Sequence, residues 1–310
     1  TELPKSLAVI GAGPIGCEMA QAFARFGSTV HLLEISDHVL PREPIHIADI
    51  LESALSEDNI NLLKNCSTTK VELSSRGKTI HYTREGTSGT IVVDEILVSV
   101  GRAPNIEGLG LDKAGVKSNP RTGVAVNQYL QTGNKRIYAA GDICSEHKFT
   151  HTAEALAAIV IQNALFFRSK KTDSLTIPWS IYTDPEVAHV GMYPAEAAAE
   201  GIDTDTYSYS FNDLDRAILD GDEDGLVEIY TKLGSDIIVG GTIVSPHAGE
   251  MISEITLAMA GKLGLGTIAK TIHPYPTQAE GIRRAAKEYF KSRLTPRVKN
   301  IMIKWMKWHR

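Results

Sequence analysis

The sequence predicts an α/β protein in which a Rossmann-like domain comes first and an α+β domain comes last. A short apolar run of strand-forming residues, Ser6–Ile10, ends at a glycine-rich turn. A helix-forming stretch at residues 17–26 and a second apolar strand, Thr29–Leu33, follow at once, which is the βαβ order of a parallel sheet. From residue 173 onward, strands and helices lack this regular alternation, as is typical of an α+β domain.

The rest of the first domain, which we place at residues 1–104, contains a helix, a meander and two strands. A helix is predicted at residues 47–57 and a short strand at Asn61–Leu63. Three short alternating segments at residues 70–93 are separated by Ser-Ser-Arg-Gly and Gly-Thr-Ser-Gly, which predicts an antiparallel meander. A strand at residues 95–100 then closes the domain.

Two further regions follow the first domain. Residues 105–172 are too few for an independent domain, and there we expect turns, a strand at residues 136–140 and a long helix at residues 152–167. Residues 173–310 form the α+β domain. Its predicted strands are residues 228–232 and 237–244, and its predicted helices are residues 194–200, 251–261 and 278–289.

Composition and charge exclude several classes of protein. The 310 residues are 43% hydrophobic and 22% charged, as in folded globular proteins of two or three domains. A net charge of −5 argues against nucleic-acid binding, which needs a basic surface. The three cysteines are too widely spaced for a disulfide framework or a zinc site, so we expect no metal and a reducing, cytoplasmic location. The apolar stretch at residues 155–167 is too short to cross a bilayer.

A glycine-rich turn joins the first strand to the first helix. Gly11 permits the tight turn, Gly13 lets the backbone approach a pyrophosphate, and Gly16 lets the helix pack closely on the strand. The N-terminus of the helix offers N–H groups and a favourable dipole to that anion. Glu34 ends the second strand, where it can accept the adenosine-ribose hydroxyls and repel a 2′-phosphate. The sequence therefore predicts NAD rather than NADP, bound by Gly11, Gly13, Pro14, Ile15, Gly16 and Glu34.

Five motifs occur in a fixed order along the chain. They are IGAGPIGCE at residues 10–18, VGRAPN at 100–105, IYAAGD at 137–142, YTDPEV at 182–187 and HPYPTQAE at 273–280. With these motifs the chain resembles the pyridine nucleotide-disulfide oxidoreductases. Within that family it is most similar to the dihydrolipoamide dehydrogenase and mercuric reductase-like flavoproteins.

The resemblance implies two cofactors, NAD and FAD, and a homodimer. Glu18 matches the acid that the family places near the nicotinamide amide, and Gly101 matches a second NAD-contacting loop. Asp142 matches a carboxylate near the ribityl and phosphate region of the flavin. Residues 105–172 are then the C-terminal part of an FAD-binding domain, and residues 173–310 are a dimerisation domain.

The family also carries an N-terminal flavin-binding half with its own GxGxxG and a redox-active CxxxxC. This sequence starts after both, and Cys17, Cys66 and Cys144 cannot replace the pair because no two are five residues apart. We therefore expect the C-terminal two thirds of an oxidoreductase that transfers hydride between NAD(H) and FAD and on to a small-molecule or protein disulfide, or a related acceptor. Two alternatives stay open, a non-catalytic NAD-binding and dimerisation module and a flavin-free NAD dehydrogenase.

The C-terminal motif departs from the family pattern at one position. Members commonly have His-Pro-Thr-x-x-Glu, in which the histidine is the acid-base for the thiols and the glutamate orients it. Here Tyr275 replaces the histidine and Glu280 is retained, so these two are the predicted catalytic residues. A tyrosine titrates near pH 10, so Tyr275 can donate a hydrogen bond but is a poor base at neutral pH. His273 lies two residues earlier and is expected to be a surface or structural histidine, with a part in the chemistry as the alternative.

The residues from Lys291 onward alternate between basic and apolar types. The pattern predicts a short helix with an apolar side next to a basic side. Such a helix can make peripheral contact with an anionic membrane surface, dock on a partner, or pack on its own dimer. The basic residues are Arg293, Arg297, Lys299, Lys304, Lys307 and Arg310, and the apolar ones are Val298, Ile301, Met302, Ile303, Trp305, Met306 and Trp308.

Overall fold

The protein is described by a computed structural model that covers residues 2–75 and 77–309. The chain divides into two compact units. The first unit runs to Val100 and resumes at Pro178, and the second is Gly101–Ile177. The domain limits that we placed after residues 104 and 172 remain a prediction.

The first unit opens with a parallel four-stranded sheet. Strand β1 lies between β2 and β7, and β3 pairs with the outer side of β2. The predicted βαβ unit and meander are confirmed, the meander being the antiparallel sheet β4-β5-β6. The elements are β1 (Ser6–Ile10), α1 (Pro14–Arg25), β2 (Thr29–Leu33), α2 (Ile45–Glu57), β3 (Asn61–Leu63), β4 (Cys66–Ser74), β5 (Gly77–Arg84), β6 (Thr87–Val93) and β7 (Glu95–Val98).

Helix α1 begins three residues earlier than the sequence predicts. Pro14 is its first residue, and proline suits that position because its fixed φ matches the helix and its missing N–H would have had no helical partner. The glycine-rich turn therefore ends directly in the first turn of the helix. Leu32 and Val9 of the sheet and Leu51 of α2 are fully buried in the core that supports this turn.

The second unit contains little regular structure apart from one long helix. It comprises β8 (Ser118–Asn119), β9 (Gly123–Val124), a 3₁₀ turn at Gly141–Ile143, α3 (Thr150–Leu165) and a second 3₁₀ turn at Thr172–Ser174. The predicted strand at residues 136–140 is wrong, because only a single bridge pairs Gln131 with Tyr138. The Asn134 side chain accepts a hydrogen bond from Arg136 N–H, and its carbonyl accepts one from Ile137 N–H. These turn bonds compete with strand pairing.

The first unit ends with a five-stranded antiparallel sheet in the order β10-β11-β14-β13-β12. Helices α6 and α8 pack against it, and Ile229, Ile243, Ile255 and Ile282 lie in the shared core. The elements are β10 (Pro178–Ile181), β11 (Glu186–Gly191), α4 (Pro194–Ala199), β12 (Thr204–Ser210), α5 (Asp215–Asp220), β13 (Leu226–Lys232), β14 (Ile238–Ser245), α6 (Ala248–Ala260), α7 (Leu265–Lys270), α8 (Glu280–Ser292) and α9 (Pro296–Trp308).

The α+β class predicted for this last region is confirmed. Strand β14 is buried along its whole length, because helices cover one face and the parallel-sheet region packs near the other. Val244 of β14, Val187 of β11 and Ile181 of β10 belong to the same core as Val9 and Leu32. Among the residues that the structure describes, no helix is long and apolar enough to span a bilayer.

Candidate functional site

Two glycines of the turn are required by the fold itself. Gly11 has φ +99°, a left-handed conformation, and a Cβ atom there would lie 2.9 Å from the carbonyl oxygen of Ser99. A Cβ atom on Gly16 would lie 1.9 Å from the carbonyl oxygen of Gly11. Neither position accepts a side chain without moving backbone atoms, so both glycines fix how β1, α1 and β7 meet.

Gly13 is different, because nothing in the protein demands a glycine there. Its φ of −73° and ψ of −176° suit any residue, and a Cβ atom would have no protein atom within 4 Å. Gly13 is also the N-cap of α1, which has no capping side chain and no acidic residue in its first turn. The backbone at Gly13 thus borders open space at a positive helix terminus, as a bound diphosphate requires.

Ser99 holds the turn in place and was not predicted from the sequence. Its hydroxyl lies 2.7 Å from the carbonyl oxygen of Gly11 and 3.0 Å from that of Ile10, and its backbone N–H donates to Ile10. The serine follows the end of β7, the strand next to β1. No local pattern marks this residue, because the contact joins positions 88 apart in the chain.

Glu34 stabilises the turn by hydrogen bonding. Its side chain is buried, with 5% of the residue exposed. One carboxylate oxygen accepts a hydrogen bond from Ala12 N–H at 2.6 Å, and the other accepts one from Ser36 N–H at 2.9 Å. Each oxygen of a carboxylate can accept a second bond, so this arrangement leaves acceptor capacity for ribose hydroxyls.

Pro14 and Ile15 form the first helical residues after Gly13. Ile15 is 46% exposed, although it is a large apolar residue at the edge of the turn. Glu18, one turn further along α1, accepts a hydrogen bond from Tyr182 N–H at 2.9 Å. The side chain of Glu18 therefore links α1 to the loop that precedes β11. Its predicted position next to a nicotinamide amide remains a prediction.

The remaining predicted cofactor residues lie in the second unit. Gly101 has φ +128°, and a Cβ atom there would meet no protein atom within 4 Å. Asp142 lies in the 3₁₀ turn Gly141–Ile143, and its carboxylate is 3.4 Å from the guanidinium of Arg102. Both side chains of this ion pair are about half exposed, so the carboxylate is accessible to a ligand.

The C-terminal motif has a geometry that the sequence does not reveal. The hydroxyl of Tyr275 donates a hydrogen bond to Asp215 at 2.8 Å, and this bond raises the pKa of Tyr275. Glu280 is buried and instead accepts a hydrogen bond from Arg284 at 2.9 Å. The two predicted catalytic residues are therefore not hydrogen-bonded to each other, and Asp215 occupies the place expected for Glu280.

His273 and the cysteines have structural surroundings. The His273 ring is nearly buried and lies 3.0 Å from the carboxylate of Glu254. Cys17, Cys66 and Cys144 are free thiols. Burial raises the pKa of Cys17 and Cys66 and raises that of Cys144 to about 11, so all three are protonated and unreactive near neutral pH. Within residues 2–75 and 77–309, no group of three His, Cys, Asp or Glu side chains is placed to hold a metal ion.

Comparison with known proteins identifies the family. Residues 1–157 match the model of pyridine nucleotide-disulphide oxidoreductases, and residues 177–286 match the dimerisation domain of the same family. The chain belongs to the pyridine nucleotide-disulphide oxidoreductase family. The resemblance drawn from the five motifs is thus confirmed.

Two curated relatives and one solved structure are similar to most of this chain. It is 34% identical over 285 residues to a mercuric reductase of Staphylococcus aureus, and 34% identical over 293 residues to a dihydrolipoyl dehydrogenase of Thermus scotoductus. These matches cover 92% and 93% of this chain but 52% and 63% of the relatives. A solved structure, the HOCl-induced flavoprotein disulfide reductase RclA from Escherichia coli, superposes with a TM-score of 0.83 at 26% identity, covering 92% of this chain and 65% of RclA. The chain therefore spans about half to two thirds of the length of these proteins.

Proposed function

We propose that this chain is the NAD-binding and dimerisation portion of an NAD-dependent flavoprotein oxidoreductase. The complete enzyme transfers hydride between NAD(H) and FAD and passes the electron pair to a disulfide or a related acceptor. The observation that carries this proposal is Gly13, whose lack of a side chain neither the backbone conformation nor the packing explains. A diphosphate lying against the N-terminus of α1 explains it.

Each residue of the turn has a separate task in binding NAD. The backbone of Gly13 and the first turn of α1, with Pro14 and Ile15, hold the diphosphate. Glu34 accepts the ribose hydroxyls with the acceptor capacity that Ala12 and Ser36 leave, and its charge repels a 2′-phosphate, which favours NAD over NADP. Gly101 and Glu18 are proposed to serve the second NAD-contacting loop and the nicotinamide end.

The residues of the second unit fit one side of an FAD site. Asp142 offers a half-exposed carboxylate, held by Arg102, to the ribityl hydroxyls. FAD, when bound, would accept the hydride that NADH cannot transfer directly to a disulfide. Because the described part of the chain holds only three unreactive thiols, the reactive pair and the rest of the flavin site belong to another segment of the complete enzyme.

Tyr275 is proposed to act at the acceptor end by hydrogen bonding. Its hydroxyl donates its proton to Asp215, so the lone pairs of the phenolic oxygen are free to accept a hydrogen bond. The hydrogen-bond donor would be a group of the disulfide substrate or a reduced thiol. The raised pKa keeps Tyr275 from serving as a base at neutral pH. This favours a small-molecule or protein disulfide whose reduction does not depend on a histidine acid-base, and it separates this enzyme from dihydrolipoyl dehydrogenases of the usual pattern.

The oligomer that we propose is a homodimer formed through residues 173–310. The matched dimerisation domain supports it. In this arrangement Tyr275 and Glu280 complete the acceptor site of the partner subunit. The three free cysteines of the chain agree with a reducing compartment, and we propose the cytoplasm.

A pair of preparations tests the proposal. This chain alone should bind NADH in a saturable fluorescence titration, remain colourless and reduce no disulfide. Joined to an N-terminal flavin-binding half with a redox-active CxxxxC, as the family carries, it should bind FAD in a one-to-one ratio and reduce a disulfide such as 5,5′-dithiobis(2-nitrobenzoate) with NADH. Turnover of NADH by the chain without flavin would favour the flavin-free dehydrogenase, and binding without turnover in the joined protein would favour the non-catalytic module.

A further inference from the structure

The last helix, α9, has no contact with a core. No residue of Pro296–Trp308 is buried, and the whole helix lies in the described part of the chain. Its large apolar side chains range from 38% exposed at Val298 to 78% exposed at Trp308. A surface helix of a globular protein ordinarily buries its apolar stripe. Helix α9 also lies beyond residue 286, where the match to the family's dimerisation domain ends.

The side chains of α9 separate into two faces. At about 100° per residue, Val298, Ile301, Met302, Trp305 and Trp308 fall within one side of the helix. Asn300 and Lys307 fall on the opposite side. Arg297, Lys299 and Lys304 lie nearer its edges, and Ile303 is the one apolar residue that falls among the polar ones. The helix is thus amphipathic, with both tryptophans on the apolar face and the cations on the polar face or at its edge.

The charge of this segment has a single sign. From Tyr289 to the C-terminus the sequence holds seven Lys or Arg residues and no Asp or Glu, although the whole chain has a net charge of −5. Arg293 lies just before the helix, where its guanidinium stacks on the Tyr289 ring at 4.7 Å and donates to the carbonyl oxygen of Gly234. The chain is therefore anchored to the folded body at Arg293 and presents a purely cationic helix after it.

We propose that α9 binds the surface of an anionic lipid bilayer and lies in the plane of the headgroups. The apolar face with Trp305 and Trp308 enters the headgroup and acyl boundary, where indole rings are favoured. Lys304, near the edge of the apolar face, and Lys307, on the opposite face, extend their side chains to lipid phosphates. Two copies of α9 packed on each other would bring like charges together, which is unfavourable. An anionic lipid surface instead offers the negative charge that complements this helix.

The proposal is independent of the nucleotide site and is tested on the full chain by sedimentation with vesicles. Vesicles of phosphatidylcholine with about one third phosphatidylglycerol should carry the protein into the pellet, whereas pure phosphatidylcholine vesicles should carry much less. Raising the ionic strength from about 0.1 M to about 1 M shortens the Debye length from about 10 Å to about 3 Å and should release it. Equal binding to both vesicle types would overturn the proposal.

Paired variants separate the two faces. Lys304→Gln and Lys307→Gln should each lower partition into anionic vesicles about fivefold. The double variant Trp305→Ser, Trp308→Ser should lower it on both kinds of vesicle. A matched control is Lys113→Gln, Lys117→Gln, which removes two exposed cations from the second unit and should leave partition unchanged. The control is compared with the double variant Lys304→Gln, Lys307→Gln. If both double variants lower vesicle binding equally, the overall charge of the protein and not α9 causes the binding, and the proposal is wrong.

Tryptophan fluorescence reports on insertion directly. The chain has three tryptophans, and Trp179 packs in the folded body, with its ring 4.5 Å from that of His189. In the Trp179→Phe variant the emission comes only from Trp305 and Trp308. It should shift to the blue when anionic vesicles are added. An unchanged spectrum in the presence of bound vesicles would contradict burial of this face in lipid.

A chain that stops after Leu294 gives the last control. Because no residue of α9 is buried, this chain should keep its NADH affinity and its oligomeric state in solution while losing vesicle binding. If the shortened chain instead changes from dimer to monomer, the helix is a dimer contact and the proposal is overturned. If it sediments with anionic vesicles as the full chain does, another surface binds the lipid and the proposal is likewise overturned.

Discussion

Replacing Gly13 by alanine separates what the ligand requires from what the fold requires. At this position alanine fits the φ and ψ angles, and its Cβ atom enters open space. Alanine leaves the unfolded chain fewer conformations than glycine does, which stabilises the variant by about 0.4–1 kcal/mol. Alanine is also a poorer N-cap than glycine, at a cost of about 0.5–1 kcal/mol. The two effects nearly cancel, so the free energy of unfolding should change by less than about 1 kcal/mol.

The affinity for NADH should respond strongly to the same methyl group. The methyl occupies the space in which a diphosphate approaches the backbone, so we expect at least a tenfold loss, equivalent to about 1.4 kcal/mol. Gly13→Val should be worse, because it fills more of that space. A fluorescence titration with NADH gives the affinity, and urea unfolding of the same samples gives the stability.

Gly16→Ala is the matched control, with the opposite expected outcome. Its Cβ atom would lie 1.9 Å from the carbonyl oxygen of Gly11, so the helix or the turn must shift. Overpacking of this kind costs about 1–3 kcal/mol. Gly16→Ala should therefore lower stability clearly, whereas Gly13→Ala should not. If Gly13→Ala binds NADH as the unchanged chain does, the space at Gly13 is not the diphosphate site and the proposed function loses its main support.

Three further predictions concern single charged or phenolic groups. Glu34→Arg should reverse the preference from NADH to NADPH, and titrations with both nucleotides would show this. Burial raises the pKa of Glu43 above 4.5, so stability from this group is present below pH 4.5 and lost as the pH rises through the folded pKa. Glu43→Gln should remove that part of the pH dependence in urea unfolding. Asp215→Asn should lower the pKa of Tyr275, measured as the phenolate absorbance that Tyr275→Phe abolishes, and an unchanged pKa would contradict the Asp215 contact.

Local sequence patterns predicted the first domain well because its signals are local. The strands Ser6–Ile10, Thr29–Leu33 and Asn61–Leu63 have the predicted bounds, and each is a short, mainly apolar run. Helix α1 starts three residues before the predicted position, because proline is compatible with the first position of a helix. Composition and spacing alone were enough for the fold class.

One polar strand escaped prediction because pairing with a distant strand, not an apolar run, decides its structure. Strand β12, Thr204–Ser210, has the sequence TDTYSYS and no apolar run, yet it pairs along its length with β13 at the edge of the sheet. The strand wrongly predicted at residues 136–140 shows the converse, because apolar residues there are held in a turn by Asn134. In the first case pairing with a distant strand decides the structure, and in the second a local turn does.

The site itself could be predicted only where a motif carries it. The glycines and Glu34 belong to one βαβ unit, so their spacing is informative. Asp215 and Tyr275 are 60 residues apart, and Ser99 and Gly11 are 88 apart, so one sequence contains nothing that links them. The family's histidine–glutamate pair does not transfer as a pair to Tyr275 and Glu280. The glutamate is retained in the sequence, but its hydrogen bond is with Arg284.

Long-range polar contacts also explain why the parallel-sheet region and the C-terminal domain form one unit. Glu43, next to α2, accepts hydrogen bonds from the hydroxyl of Tyr193 and the indole of Trp179. Gln21 of α1 donates to the carbonyl oxygen of Asp184. Because a buried carboxylate left without partners costs about 1–3 kcal/mol or more, these bonds oppose separation of the two regions. The helix that follows the glycine-rich turn is therefore held against the C-terminal region of the same unit, which also carries Tyr275.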